Sequence, residues 1–417
     1  MVRRVSSRKT ASKMVTKVLP KKHLWTGTRA IAEAVKLADV DVIAAYPIRP
    51  YTGVMNSLAK MLADGEFMAE IIVADSEHSQ FEIAKHASAV GARAFVGSSG
   101  VGLAYAAEPI TVTALGQLPV VAMAGCRALD DPGNFGMEWN DVLMFRDCGW
   151  LMSWAKDPQE ALDMTLVAYR VSEDQRVLLP HFVAVDGAAI THISASVEPP
   201  RSEEVRRFLP PYKPLYPLDP ANGPVTKAQH IAPSLIGPEI RKVVDDSTEK
   251  ARGVIQEAWE AYSRFVGREY PPFVESKYTE DAEVALVTMG AYAKDVMYVA
   301  GKLRRQGVKV GIVRIRYFRP FPYKELTKAL SRVKAVGIID FSYSFGSADS
   351  SSVLFNETRS ALYDSDSRPL LMDFMFVGGR EPSIEHFEQA VKLLQRAVEK
   401  GTVEKHVRWP TLRGENP

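Results

Sequence analysis

From residue 27 onward the chain alternates between two hydrophobic patterns. Gly27 to Leu37 carries apolar positions at helical spacing, and the run Val42-Ile43-Ala44-Ala45-Tyr46 is continuously apolar until Pro47 stops it. A helix delivering the chain to a buried strand accounts for both. The alternation repeats with a helix over Thr52 to Leu62, a strand over Ile71 to Ala74 and a helix from near Ser79 toward Val90. A strand over Arg93 to Val96, a glycine-rich turn from Gly97 to Gly102, a helix ending near Leu115 and a strand over Val120 to Ala124 follow. Short, wholly apolar strands between helices predict a parallel sheet covered on both faces, since a half-exposed strand would alternate in polarity. The helix Pro158 to Ser172 and the run Val177 to Val185 extend this unit, with Pro180 predicting a bend or an edge position. The sheet is expected to close near Asp186, which makes residues 23–186 one α/β domain.

Residues 187–230 hold Pro199, Pro200, Pro210, Pro211, Pro214, Pro217, Pro220 and Pro224. Each proline removes a donor and restricts its predecessor, so this stretch reads as an extended wrapping connector. A helix of mixed charge runs from about Pro238 to Val266, and residues 187–280 together form the linker. A second strand-helix series then begins: Val284 to Met289, Ala291 to Gln306, Val308 to Ile315, Tyr323 to Leu330, Val333 to Asp340, Ser351 to Tyr363 and Leu370 to Phe376. It predicts a smaller α/β domain over 281–397, with 398–417 as a C-terminal tail.

Composition narrows the functional classes. At 417 residues and 46% hydrophobic, the chain can fill two cores, because single cores rarely outgrow about 250–300 residues. Its 52 Lys and Arg nearly cancel 50 Asp and Glu, so a net charge of +2 gives no reason to expect nucleic acid. Cys126 and Cys148 are too few for a disulfide scaffold or a four-cysteine cluster, and the histidines show no paired ligand spacing. No metal held by this chain is expected. Apolar runs such as Leu118 to Ala124 fall well short of the roughly 20 residues a membrane span requires, so a soluble, cytoplasmic protein is expected. The first 22 residues carry eight Lys and Arg without one acid and read as a solvated or partner-docking tail.

Three places carry candidate chemistry. Glu77 lies in Asp75-Ser76-Glu77-His78-Ser79, just after an apolar run, at a strand-to-helix junction. Arg127 follows the run Val120 to Gly125, at the carboxyl end of a strand, where ligands of α/β sheets usually sit. The turn Ser98-Ser99-Gly100-Val101-Gly102 could offer backbone donors, although it is neither a Walker sequence nor a dinucleotide fingerprint.

These segments also occur in a telling order. The succession Ala45-Tyr46-Pro47-Ile48, Asp75 to Ser79, Ser98 to Leu103, Cys126-Arg127-Ala128-Leu129, Arg146 to Trp150, Leu178-Leu179-Pro180 and Arg319-Pro320-Phe321-Pro322 resembles the alpha subunit of the 2-oxoacid:ferredoxin oxidoreductases. The likeness runs from about residue 24 to 395. It implies a thiamine-diphosphate-binding pyrimidine-type domain followed by a transketolase C-terminal-like α/β domain. By the same resemblance Glu77 bonds the pyrimidine N1' and promotes the imino tautomer, Arg127 binds the 2-oxoacid carboxylate, and Pro47, Ile48, Ser99 and Gly100 line the cofactor. The Gly-Asp-Gly signature with a later Asn that holds magnesium diphosphate is absent. The resemblance therefore implies a beta subunit bringing the diphosphate site, Mg2+ and a [4Fe-4S] cluster, with thiamine diphosphate at the interface. It further implies gamma, ferredoxin-like delta and NAD-reducing electron-transfer subunits, CoA as cosubstrate, and NAD, with or without FAD, on another subunit.

Arg49 departs from the family pattern, which has threonine there. A second arginine in a poorly solvated pocket calls for an anion. Two substrate classes fit. Oxalate could engage Arg49 and Arg127 with separate carboxylates. An aryl 2-oxoacid, as in the acylating phenylglyoxylate dehydrogenases, could pack its ring on Tyr51, Phe135 or Trp139. Trp139 stands where the pyruvate enzymes have histidine, while Asp141 remains, and His78 could relay protons beside Glu77. The reading favours phenylglyoxylate, with oxalate close behind.

Overall fold

A computed structural model describes residues 21–129, 134–225 and 233–414. Of the basic tail, only Lys21 and Lys22 fall within these segments.

The first sheet has seven strands in the order Tyr317–Arg319, Leu151–Trp154, His181–Asp186, Val121–Cys126, Ala94–Ser98, Val42–Ala45, Glu70–Val73. All neighbours are parallel except the first pair. Every residue of Ala94–Ser98, Val121–Cys126 and His181–Asp186 is buried, which explains the uninterrupted apolar runs. From Val42–Ala45 the chain crosses to one side, toward Glu70–Val73; from Ala94–Ser98 it crosses to the other, toward Val121–Cys126. The loops after these two central strands therefore part and leave a crevice at their carboxyl ends.

The second sheet has the order Val407–Arg408, Leu370–Met375, Ala335–Asp340, Val284–Thr288, Val310–Ile315, Val274–Lys277, with only the last strand antiparallel. A two-stranded ribbon pairs His23–Trp25 with Ala195–Val197.

Several expectations shift. Leu151–Trp154 is a strand that the hydrophobic pattern does not announce, set between a glycine turn and a capped helix. The first sheet does not close near Asp186, because Tyr317–Arg319 returns from the second half to pair with Leu151–Trp154. Residues 177–180 are not strand; pairing starts at His181. The long helix begins at Pro233 and contains Pro238.

The two halves are joined by buried charge. Glu160 accepts from Arg314 Nη1 at 2.6 Å and Nη2 at 2.7 Å, and from Arg316 Nε at 2.6 Å. Burial raises the Glu160 pKa, but the two guanidinium groups and Lys156 outweigh it and hold the carboxyl down at about 2.

A second buried pair behaves in the opposite way. Asp340 and Asp373, on adjacent parallel strands, are both fully buried. Asp340 accepts from Ser342 N and Oγ and from Leu354 N at 2.8–2.9 Å, whereas Asp373 accepts only from Ser352 N at 2.7 Å and Ser352 Oγ at 2.8 Å. Burial raises both pKa values, and the Asp340 charge pushes Asp373 further. Asp340, with three donors, is the ionised member, and Asp373 holds the proton. A folded pKa above the unfolded value means that Asp373 contributes stability below about pH 4 that is lost as pH rises through its raised folded value. Asn at 373 can accept from Ser352 N and donate to Ser352 Oγ. Asp373→Asn is therefore expected to gain about 1–3 kcal/mol over the parent at pH 8.5 and little at pH 5. Thermal melts at the two pH values check this; parallel pH profiles would count against the shared proton.

Candidate active site

Four loops meet side by side at the carboxyl edge of the first sheet. In sheet order they follow Val121–Cys126, Ala94–Ser98, Val42–Ala45 and Glu70–Val73, and they carry Arg127, the Ser98–Gly102 turn, Pro47 to Pro50, and Glu77.

Glu77 opens the helix Glu77–Ala89, whose N-cap Ser76 accepts from Ser79 N at 3.2 Å. An acid in the first turn complements the helix dipole, and the Glu77 carboxylate makes no ion pair among the described residues. Gln80, one turn on, ties the helix to the sheet by donating to Gly97 O at 2.9 Å.

Three side chains close onto Gly102 beside that carboxylate. A Cβ there would lie 2.6 Å from Ser98 Oγ, 2.7 Å from Glu77 Oε1 and 2.7 Å from Ile48 Cδ1. The Ser98 hydroxyl is buried without a hydrogen-bond partner. An acid, an unpartnered buried hydroxyl and an apolar tip thus converge at one place, a set of groups that suits the polar edge and the face of a heteroaromatic ring such as the aminopyrimidine of thiamine diphosphate.

Arg127 is 7% exposed, its Nε lacks a hydrogen-bond partner, and its guanidinium forms no ion pair among the described residues. Such a buried cation is costly until an anion arrives. Its Cζ lies 5.0 Å from the centre of the Phe135 ring, which is 68% exposed. Gly100, at φ 53°, lets the arginine pass: a Cβ there would come within 2.8 Å of Arg127 Nε.

Other expected residues are placed differently. Tyr51 is fully buried, packs on Phe95 and donates to Ala44 O at 2.9 Å, so it belongs to the core and not to a substrate wall. Trp139 is also fully buried; its Nε1 donates to Asp186 Oδ1 at 2.9 Å and its ring lies against Phe341 and Trp154. It was drawn inward because the second half of the chain covers it. Asp141 lies beneath the loops, not in a pocket wall, and accepts from backbone N–H groups. Arg49 is exposed in this chain, because its loop stands at the open end of the sheet. Its carbonyl accepts from the buried Ser99 hydroxyl, which links the two central loops. Pro47 is exposed and Ile48 half-buried.

His78 Nε2 lies 2.8 Å from Glu108 Oε2. With Glu82 these residues bring one ligand atom each within 4.8 Å, a proximity their sequence spacing did not suggest. Glu82 is also committed to Lys85 at 2.8 Å, so the trio is explained as surface pairing. His181 is fully buried, and burial pushes its pKa down to about 3, in keeping with a structural role beside Ser153.

In the sequence Ser98 and Gly102 stand only as parts of a turn. An extra glycine inside a strand-to-helix junction is the available signal for this close approach, but the side chains that meet there stand at or after the ends of three different strands.

Residues 33–260 match the family model described as "Pyruvate flavodoxin/ferredoxin oxidoreductase, thiamine diP-bdg", and residues 282–387 match "Pyruvate:ferredoxin oxidoreductase core domain II". The pyruvate synthase subunit PorA of Pyrococcus horikoshii is 38% identical over 399 residues, covering 95% of this chain and 100% of that protein. This chain belongs to the 2-oxoacid:ferredoxin oxidoreductase family. It is a subunit of a thiamine-diphosphate-dependent 2-oxoacid oxidoreductase. The PorA subunit of Methanocaldococcus jannaschii is 36% identical, over 91% of this chain and 96% of its own length. The ketoisovalerate oxidoreductase subunit VorA of Pyrococcus horikoshii is 33% identical, over 94% and 99%. Among solved structures, the 2-oxoglutarate:ferredoxin oxidoreductase from Magnetococcus marinus matches with a TM-score of 0.67 at 16% identity, over 91% of this chain and 66% of that one. A split-gene transketolase matches with a TM-score of 0.54 at 12% identity, over 91% of this chain and 99% of its own. Both likenesses concern the fold, and they agree with the α/β reading of this oxidoreductase subunit. Among its described residues no helix is long and apolar enough to cross a membrane.

Proposed function

We propose that this alpha subunit serves a CoA-acylating oxidoreductase of aryl 2-oxoacids, with phenylglyoxylate as the first candidate. The observation that carries the reading is the Arg127 guanidinium, buried and unpaired among the described residues, with the exposed Phe135 ring 5.0 Å away. A 2-oxoacid carboxylate would neutralise the arginine, and an aryl group would meet an aromatic face beside it. With Tyr51 and Trp139 in the core, Phe135 remains as the aromatic support.

Thiamine diphosphate, when bound, supplies the electron sink for decarboxylation. This chain's part is to hold the pyrimidine end at Glu77, Ser98 and Ile48, with Glu77 managing the proton at the ring nitrogen, and to orient the substrate carboxylate at Arg127. Pro47, Ser99 and Gly100 shape the loops around that cluster, and Arg49 at the open rim adds positive charge for an incoming anion. The net reaction is phenylglyoxylate plus CoA to benzoyl-CoA, CO2, one proton and two electrons. With two cysteines and no magnesium-diphosphate signature, the chain needs partners for Mg2+, the diphosphate and the [4Fe-4S] clusters, with NAD reduced elsewhere in the complex.

Pyruvate is the second reading, favoured by the 38% identity to a pyruvate synthase subunit. The test is CO2 release by the purified complex with CoA, an artificial electron acceptor, and phenylglyoxylate, pyruvate, ketoisovalerate or oxalate in parallel. Benzoyl-CoA formed from phenylglyoxylate supports the first reading. Turnover of pyruvate without phenylglyoxylate replaces it with the second, and CoA-independent oxalate turnover overturns both.

A further inference from the structure

Asp141 is fully buried at the start of the short helix Asn140–Leu143, and its two oxygens serve three separate pieces of backbone. Oδ2 accepts from Gly100 N at 2.8 Å and from Arg127 N at 3.1 Å, while Oδ1 accepts from Val142 N at 2.9 Å. Gly100 belongs to the turn that ends at Gly102, against Glu77 and Ser98, and Arg127 is the buried cation that awaits an anion. One carboxylate oxygen thus bridges the cofactor side and the substrate side of the site.

We infer that Asp141 is a positioning residue that locks the Gly100 turn and the Arg127 backbone into one unit, so that cofactor and 2-oxoacid are held in a common frame. The inference rests on the reading of Glu77 and Arg127 given above. It goes beyond that reading because Asp141 touches neither ligand.

The chemistry of the acceptor explains why an acid stands there. Three N–H donors converge from two sides, and only a carboxylate offers acceptor lone pairs on both of its atoms. Asn would turn an N–H2 group toward either Val142 N or the Gly100 and Arg127 pair, setting donor against donor. Keeping a carboxylate here is expensive: burial pushes its pKa up to about 7, even with the three N–H groups and the Arg127 charge drawing it back. The rest of the segment is anchored at its other end. Gly378 N donates to Glu138 Oε1 at 2.7 Å, and Asn140 exchanges hydrogen bonds with the Tyr343 backbone at 2.9 Å in both directions. Asp141 therefore sits on a segment with little freedom to drift, a condition for a group that fixes others.

The test is hydrogen exchange by mass spectrometry on the full chain, combined with steady-state kinetics of the assembled enzyme. In Asp141→Ala, peptides containing Gly100 and Arg127 are expected to exchange at least about tenfold faster together, while the buried strand between Val121 and Ala124 keeps its protection. In the complex, the KM for the 2-oxoacid and the thiamine diphosphate concentration for half-saturation should both rise about tenfold or more. Arg127→Ala, by contrast, should raise only the former. Unchanged exchange at Gly100 and Arg127, deprotection of only one of them, or unchanged affinity for both ligands would overturn the lock. If the alanine variant does not fold, Asp141→Asn replaces it, and loss of protection at no member of the three amides would equally overturn the inference. Should Arg127→Ala leave the substrate KM unchanged, the functional reading fails, and the lock is then judged on exchange alone.

Discussion

Glu77→Gln is expected to lower 2-oxoacid turnover by at least about 10²–10³-fold with the complex still assembled. The carboxylate stands at the first position of the helix Glu77–Ala89, and its Oε1 packs beside Gly102 together with Ser98 Oγ. Glutamine preserves the shape and the acceptor oxygen but cannot take and return a proton at the pyrimidine nitrogen. The loss should therefore fall on kcat, while thiamine diphosphate half-saturation moves far less. Melting temperature should change little, because Glu77 makes no ion pair among the described residues and is only half-buried. Single-turnover CO2 release and a thermal melt of the same preparation check both halves. Normal turnover by a folded Glu77→Gln complex would remove Glu77 from the chemistry.

The second large effect is expected at Arg127. Arg127→Lys should raise the KM for the 2-oxoacid about 10- to 100-fold, because an ammonium cannot reproduce a planar two-pronged contact with a carboxylate and is more strongly hydrated. That range corresponds to about 1.4–2.8 kcal/mol, the scale of one charge-assisted hydrogen bond. Lysine also loses the stacked contact with Phe135, so the penalty should be larger for an aryl 2-oxoacid than for pyruvate. Initial-rate measurements of kcat/KM for both substrates provide the check. Equal penalties would detach Phe135 from specificity, and an unchanged KM would show that the carboxylate binds elsewhere.

The residues in these predictions differ in how they could be found. Glu77 and Arg127 both follow short apolar runs that are parallel strands, Arg127 after the wholly buried Val121–Cys126 and Glu77 after the largely exposed edge strand Glu70–Val73, so the strand-to-helix pattern places them at the ligand-facing edge. The aromatic residues had no such guide. Tyr51, Phe135 and Trp139 have comparable hydrophobicity in the chain, yet Tyr51 closes over Gly97, Trp139 is roofed by Phe341, and Phe135 stands in solvent beside Arg127. Which of them could touch a substrate depends on partners far away in sequence. The exposure of Arg49 belongs to the same class, since its neighbours at the sheet edge come from other strands.

The amino-acid order by itself determined that strands and helices alternate in two series, and that a carboxylate and an arginine stand at strand ends. Those features depend on local periodicity, which a chain carries wherever it folds. The tertiary structure decided that Tyr317–Arg319 completes the first sheet, that Asp186 accepts from Ala291 N of the second half as well as from Trp139, and that Asp141 reaches Gly100 and Arg127. Each of these is a hydrogen bond between separate elements, formed only when those elements pack in three dimensions, and no spacing along the chain encodes that distance.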